Sequence, residues 1–183
     1  MLMDTIRDVW RGPVRRDYVD AQVPNERTLQ AMLYKHLTDA LDLEVVLEPQ
    51  MTLCGGSGVI VPDIVVLGAE IAVVAELKFV PHGYPVFEGD IAKFRALVGE
   101  ETPARCWPID PFSGRHGGEP LSITPRTRFA FFAVGQSQAR AIDAEDVRAS
   151  AHPAGLRERL SVFYGCVGGS TDGLLFDADL GSC

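Results

Sequence analysis

Three ionisable side chains stand at the ends of two apolar runs: Asp63 in VIVPDIVVL (Val59 to Leu67), and Glu76 with Lys78 in IAVVAELKF (Ile71 to Phe79). Burying an unpaired carboxylate or ammonium costs several kcal/mol. Such groups persist in a core strand only where they neutralise one another, face water or hold a ligand. Side chains alternate along a strand, so Glu76 and Lys78 share a face with Ala72 and Val74, roughly 6.6 Å apart along the chain. Ile71, Val73, Ala75, Leu77 and Phe79 take the other face. Two carboxylates on neighbouring strands can converge on one hard divalent cation, which oxygen ligands suit. The same three residues also fit a plainer arrangement, an exposed same-face pair and a turn residue after a proline.

The elements that must position them follow from periodicity. Leu2, Ile6 and Val9 or Trp10 predict a short amphipathic helix over Met1 to Arg11, ended by Gly12-Pro13. Leu29, Leu33, Leu37 and Leu41 form an i+4 stripe on a second helix, about Asn25 to Leu41, with Pro24-Asn25 as its start signal. Glu26 lies in its first turn, where the helix dipole alone would favour an acid. Glu44 to Leu53, Val59 to Leu67 and Ile71 to Phe79 are expected as three strands joined by short turns, an antiparallel meander. Pro62 removes a ladder donor from the middle strand, so an edge or a bulge is expected beside Asp63. Val86 to Val98 repeats Phe87, Ile91, Phe94 and Leu97 at helical spacing, with Asp90 and Lys93 read as a surface ion pair on its other side. RFAFFAVG (Arg128 to Gly135) reads as a buried strand. Helices are expected at about Ala139 to Ala149 and Gly155 to Cys166, before a Gly- and Asp-rich tail.

A chain of 183 residues, 46% hydrophobic and 23% charged, fits one soluble domain with a real core. No apolar run reaches membrane-spanning length and the N-terminus lacks a signal-peptide pattern, so a cytoplasmic protein with no membrane partner is expected. Cys54, Cys106, Cys166 and Cys183 are scattered with no CxxC pair, which suits reduced thiols. The net charge of −8 argues against coating nucleic acid through an overall positive field. A local basic cleft remains open to Arg11, Arg15 and Arg16, and to Arg105, Arg115, Arg126 and Arg128 in or beside the long Pro- and Gly-rich stretch from Glu101 to Thr127. Trp107 and Phe112 in that stretch could stack on bases or anchor it to the body. His36, His82, His116 and His152 have no metal-ligand spacing, and no G-x-S-x-G elbow, Walker loop or dinucleotide fingerprint occurs.

The order helix, three-stranded meander, helix, strand, with Glu26 on the first helix, Pro62-Asp63 on the second strand and Glu76-Leu77-Lys78 on the third, resembles the PD-(D/E)XK nuclease superfamily. The resemblance spans about Pro24 to Gly135. It implies an α/β (α+β) restriction-endonuclease-like core at about 24–135, with a central mixed sheet containing the meander and flanked by helices. An N-terminal helix in 1–23 and C-terminal helices in 136–183 would extend that core within one domain. It further implies a Mg²⁺- or Mn²⁺-dependent nuclease acting on phosphodiester bonds, with DNA the expected substrate and a homodimer a further implication. Asp63, Glu76 and the Leu77 backbone carbonyl would hold the ion, with Glu26 joining directly or through water. Lys78 would orient the attacking water and stabilise transition-state charge. The alternative is an inactive member of the same fold that binds protein or nucleic acid.

Overall fold

A computed structural model of the chain describes residues 1–20, 22–53, 58–98, 104–107, 118–136, 143–152, 154–167 and 175–180. Cys54, Phe112, Arg115, His116, Cys183 and the Gly-rich part of the tail lie outside the described residues.

Helix α1 (Leu2–Val9) does not stop at Gly12-Pro13. It runs through a π turn (Trp10–Val14) into α2 (Arg15–Val19). Proline lacks an N–H and crowds the carbonyl four residues back; widening the turn to π geometry accommodates it without ending the helix. The widened turn places Trp10 fully inside, against Phe132 and Phe176 at centroid distances of 5.2 and 4.9 Å, with Nε1 donating to the Tyr164 carbonyl at 3.2 Å. Helix α3 (Glu26–Ala40) is capped as its sequence demands, the Asn25 side chain accepting from the Thr28 N–H at 2.9 Å.

The meander forms the start of a mixed sheet: β1 (Glu44–Leu47), β4 (Ile64–Leu67) and β5 (Ile71–Val80) are antiparallel neighbours. The first two expected strands are each broken, however. Glu44 to Leu53 divides into β1 and β2 (Met51–Thr52), and Val59 to Leu67 into β3 (Val59–Ile60) and β4. Leu47 faces Ile64 and Met51 faces Ile60, so one register continues across the break and sets Pro49 opposite Pro62. Neither proline can donate to a ladder. The hairpin therefore bends at that pair, and its tip joins β6 (Arg105–Cys106) and β7 (Leu121–Ser122) in a small second sheet ordered β3-β2-β6-β7.

After α4 (Glu88–Val98), β8 (Arg128–Gln136) pairs parallel to β5. The helix expected over Gly155 to Cys166 is mostly strand. Short helices α5 (Ala144–Ala149) and α6 (Ala154–Arg157) lead into β9 (Leu160–Val167), parallel to β8, and β10 (Leu175–Asp179) closes the edge. The main sheet, ordered β1-β4-β5-β8-β9-β10 among the described residues, is thus mixed, and the molecule is α+β.

Each sheet face carries its own core. Ile6, Trp10, Leu29, Leu33 and Leu37 from α1, the π turn and α3 bury Ile64, Ala75, Leu77, Phe132 and Phe163. Ile91, Phe94 and Leu97 from α4, with Val147, Leu156 and the small sheet, bury Val65, Val74, Phe129, Phe131 and Val162. A bulge between Val66 and Leu67 leaves Ala72 unpaired on β5. It moves Ile71 onto the α4 face with Val74 instead of the face of Val73 and Ala75. No helix among the described residues is long and apolar enough to cross a membrane.

Candidate active site

Strand β4 begins at Ile64, opposite Ala75, while β5 continues to Val80. Beyond Ala75 one edge of β5 therefore has no strand beside it, and its outward N–H groups need other acceptors. Two carboxylates supply them. Asp63 Oδ2 accepts from the Leu77 N–H at 2.6 Å, and Glu26 Oε2 accepts from the Phe79 N–H at 2.9 Å. Charge-assisted bonds of this kind are short and strong. The residue before β4 and the first residue of α3 thus stand where the missing strand would lie. In an extended pair the N–H and C=O of one residue point to the same side, so the Leu77 carbonyl faces the same gap.

Glu76 points to the opposite face, toward α4, and is 1% exposed. Lys93 Nζ lies 2.6 Å from its Oε2, and Oε1 is buried. Two residues along the same face, Lys78 Nζ lies 3.3 Å from Asp90 Oδ2; Asp90 Oδ1 is 3.9 Å from Lys93. Asp90 therefore bridges both lysines from the first turn of α4. The structure brings Glu26, Asp63, Glu76 and Lys78 to one end of β5. It also corrects the reading of Asp90 and Lys93 as a surface pair, since Asp90 is buried and Lys93 neutralises the most buried acid of the group.

Electrostatics follow burial. Desolvation pushes the Glu76 carboxyl up to about 8, against the Lys93 hydrogen bond and with the Asp63 charge adding to the rise. Desolvation also raises Asp63, opposed by the Leu77 N–H, by Lys93 and by a hydrogen bond with the Glu76 side chain, and assisted by Glu26. Burial works against the Lys93 ammonium, but its bond to Glu76 and the charges of Glu76, Asp63 and Asp90 outweigh that and hold it protonated.

Asp63 is held from behind as well. Its carbonyl accepts from the Glu48 N–H and from Gln30 Nε2, both at 3.0 Å, and Gln30 Nε2 also reaches Glu48 Oε1 at 3.4 Å. Glu48 has φ of 47°, the one positive value for a non-glycine residue among those described. Left-handed backbone is unfavourable for such a residue and clusters at functional sites; here it ends β1 and turns the N–H onto Asp63. Gln30 lies one turn beyond Glu26 on the inner face of α3 and is 9% exposed. It was not visible as a site residue because nothing in the sequence distinguishes it from a helix-surface glutamine.

Other candidates lie elsewhere. Arg11 pairs with Asp177 at 3.7 Å and Arg128 donates to the Leu180 carbonyl, both at the β10 edge, away from β4. His82 is exposed in the turn after β5. Cys106 and Cys166 are buried, and burial pushes the Cys106 thiol up to about 11, which makes it unreactive. Among the described residues, no three His, Cys, Asp or Glu side chains form a metal cage by themselves, so an ion at the Asp63–Glu76 end would need backbone oxygen as well. Comparison with protein-family models, with curated proteins and with solved structures gave no match to this chain.

Proposed function

We propose that this chain is a Mg²⁺- or Mn²⁺-dependent nuclease with a restriction-endonuclease-like core, hydrolysing phosphodiester bonds in DNA. One observation carries the reading: Asp63 and Glu26 occupy the open edge of β5 beside Glu76, a buried carboxyl within hydrogen-bonding reach of Asp63. Two carboxyls crowded together in a buried setting disfavour each other's charge, a cost that a cation bound between them removes. The donor set is all hard oxygen, which suits Mg²⁺ or Mn²⁺ and not zinc. Asp63, Glu76 and the Leu77 carbonyl would hold the ion, with Glu26 joining directly or through water. When bound, such an ion neutralises phosphoryl charge and acidifies a water.

The chain's own groups do the rest. Lys78, at the end of β5 and 3.3 Å from Asp90 Oδ2, orients the water and stabilises charge on the phosphate. Asp90 holds Lys78 in place. Gln30 and Glu48 fix the Asp63 backbone so that its carboxylate stays at the β5 edge. Outer partners of metal ligands are worth about 10–100-fold in affinity. Gln30→Ala is accordingly expected to weaken Mn²⁺ binding, measured by calorimetry, by about that factor while circular dichroism stays unchanged; unaltered affinity would remove Gln30 from the site.

The experiment that tests the function is cleavage of single-stranded, duplex and RNA substrates with and without divalent metal, by wild type, Asp63→Ala and Lys78→Ala. Metal-dependent cleavage lost in both variants is expected, and activity surviving both sinks the mechanism. A second reading, an inactive member of the fold serving as a binding subunit, is favoured by Lys93, which already occupies Glu76 with a positive charge. The two part on whether Mn²⁺ binds in a manner that needs Asp63 and Glu76.

A further inference from the structure

Lys93 already supplies Glu76 with a cation, and it does so from a second element. It stands on α4 three residues after Asp90, with Nζ 2.6 Å from Glu76 Oε2 and 3.9 Å from Asp90 Oδ1. The three side chains differ in depth: Glu76 is 1% exposed, Asp90 12% and Lys93 38%. The ammonium therefore reaches the deep carboxylate from the open side on a long apolar stem, a habit of lysine. Asp90 divides its oxygens between the two lysines, Oδ2 toward Lys78 at 3.3 Å and Oδ1 toward Lys93. A short swing of the Lys93 stem would thus exchange one carboxylate for another without leaving the cluster.

A carboxylate held by an ammonium at this distance must give it up before a second cation can take full advantage of its charge. Exchange for a monovalent ion replaces one unit charge by another, whereas a divalent ion brings a second and gains from the exchange. We propose that Lys93 is a tethered competitor for the cation site at the Asp63–Glu76 end of β5: its ammonium holds Glu76, yields that carboxylate to a divalent ion by moving onto Asp90, and so sets the affinity of the site. The proposal rests on the cation site of the nuclease reading. It gives Asp90 a second task, because a lysine that moves onto a buried carboxylate stays paired, and breaking a buried pair outright is strongly unfavourable. Neutralising Lys93 frees Glu76. A proton can then take the lysine's place, but a divalent ion gains twice what a proton gains from loss of the ammonium charge, so metal binding tightens.

The test is Mn²⁺ titration calorimetry at a single pH on wild type, Lys93→Met, Lys93→Gln and Lys93→Arg, with the double variant Asp63→Asn/Lys93→Met to identify the site. Both neutral variants are expected to bind Mn²⁺ at least about 10-fold more tightly than wild type, the smallest effect that a unit charge at this range has on a carboxylate. Lys93→Arg keeps the charge and should bind no more tightly than wild type, and the double variant should lose the gain. Glutamine at this position can still donate to Glu76, so Lys93→Gln carries the test should Lys93→Met fold poorly, which circular dichroism checks. Neutral variants that bind as wild type does, or more weakly, overturn the competitor and leave the cation site standing. No Mn²⁺ uptake by any variant or by wild type overturns both. Uptake by the neutral variants alone, lost with Asp63→Asn, upholds the competitor and removes metal-dependent cleavage from the wild type, in favour of the binding subunit.

Discussion

Asp63→Asn should abolish metal-dependent cleavage while leaving the fold intact. The amide oxygen of asparagine can still accept from the Leu77 N–H, the bond that caps the β5 edge at 2.6 Å in the wild type. Its carbonyl is held by Glu48 and Gln30 regardless of the side chain. Only the charge is lost. Ion-based stabilisation of phosphoryl charge is worth several kcal/mol, so turnover should fall by about three orders of magnitude or more. Burial already holds the Asp63 carboxyl above its ordinary value, which means the charge is a cost to folding. Asp63→Asn should therefore melt no lower than wild type at neutral pH. Lost activity together with a lowered melting temperature would point to a structural aspartate; kinetics and a melting curve on one preparation separate the two.

The second large effect is on stability. Lys93→Met removes the ammonium 2.6 Å from a carboxylate that is 1% exposed. Breaking a buried pair from one side costs about 3–5 kcal/mol, and the lower end applies because the Lys93 side chain is itself 38% exposed. The loss depends on pH with a definite sign. Glu76 carries a folded-state pKa of about 8 against an ordinary 4.5, so it binds its proton more tightly when folded. Its stabilising contribution is complete below about 4.5 and is lost as pH rises toward 8. Without Lys93 the folded value rises further and the loss deepens above that range. Urea unfolding should show wild type and Lys93→Met close together near pH 5 and separated by about 3 kcal/mol near pH 9. Equal separation at both pH values would mean that Lys93 contributes by filling space, not by charge.

Much of this molecule is legible in its residues, and the parts that are not have physical causes. The leucine stripe and Asn25 mark α3 because a cap and a buried face are both local signals. β5 and β8 are recognisable as apolar runs of strand length. β9 was hidden because Leu156, Leu160 and Phe163 recur at helical spacing, while a parallel strand buried on both faces shows no alternation to contradict them. The bend at Pro49 and Pro62 required the register that sets one opposite the other, a pairing no single strand reveals. At the site, Asp63, Glu76 and Lys78 stood out as charges in apolar strands. Lys93, Gln30 and Glu48 did not, because their roles depend on how α4, α3 and the end of β1 meet the open edge of β5.

Mn²⁺ titration calorimetry on wild type, Asp63→Asn and Glu76→Gln is the most direct test of a cation site built on the open edge of β5. The account predicts saturable binding to the wild type at pH 8, where Glu76 is losing its proton, and no comparable binding to either variant. Wild type that takes up no Mn²⁺, or variants that bind it as the wild type does, would contradict it.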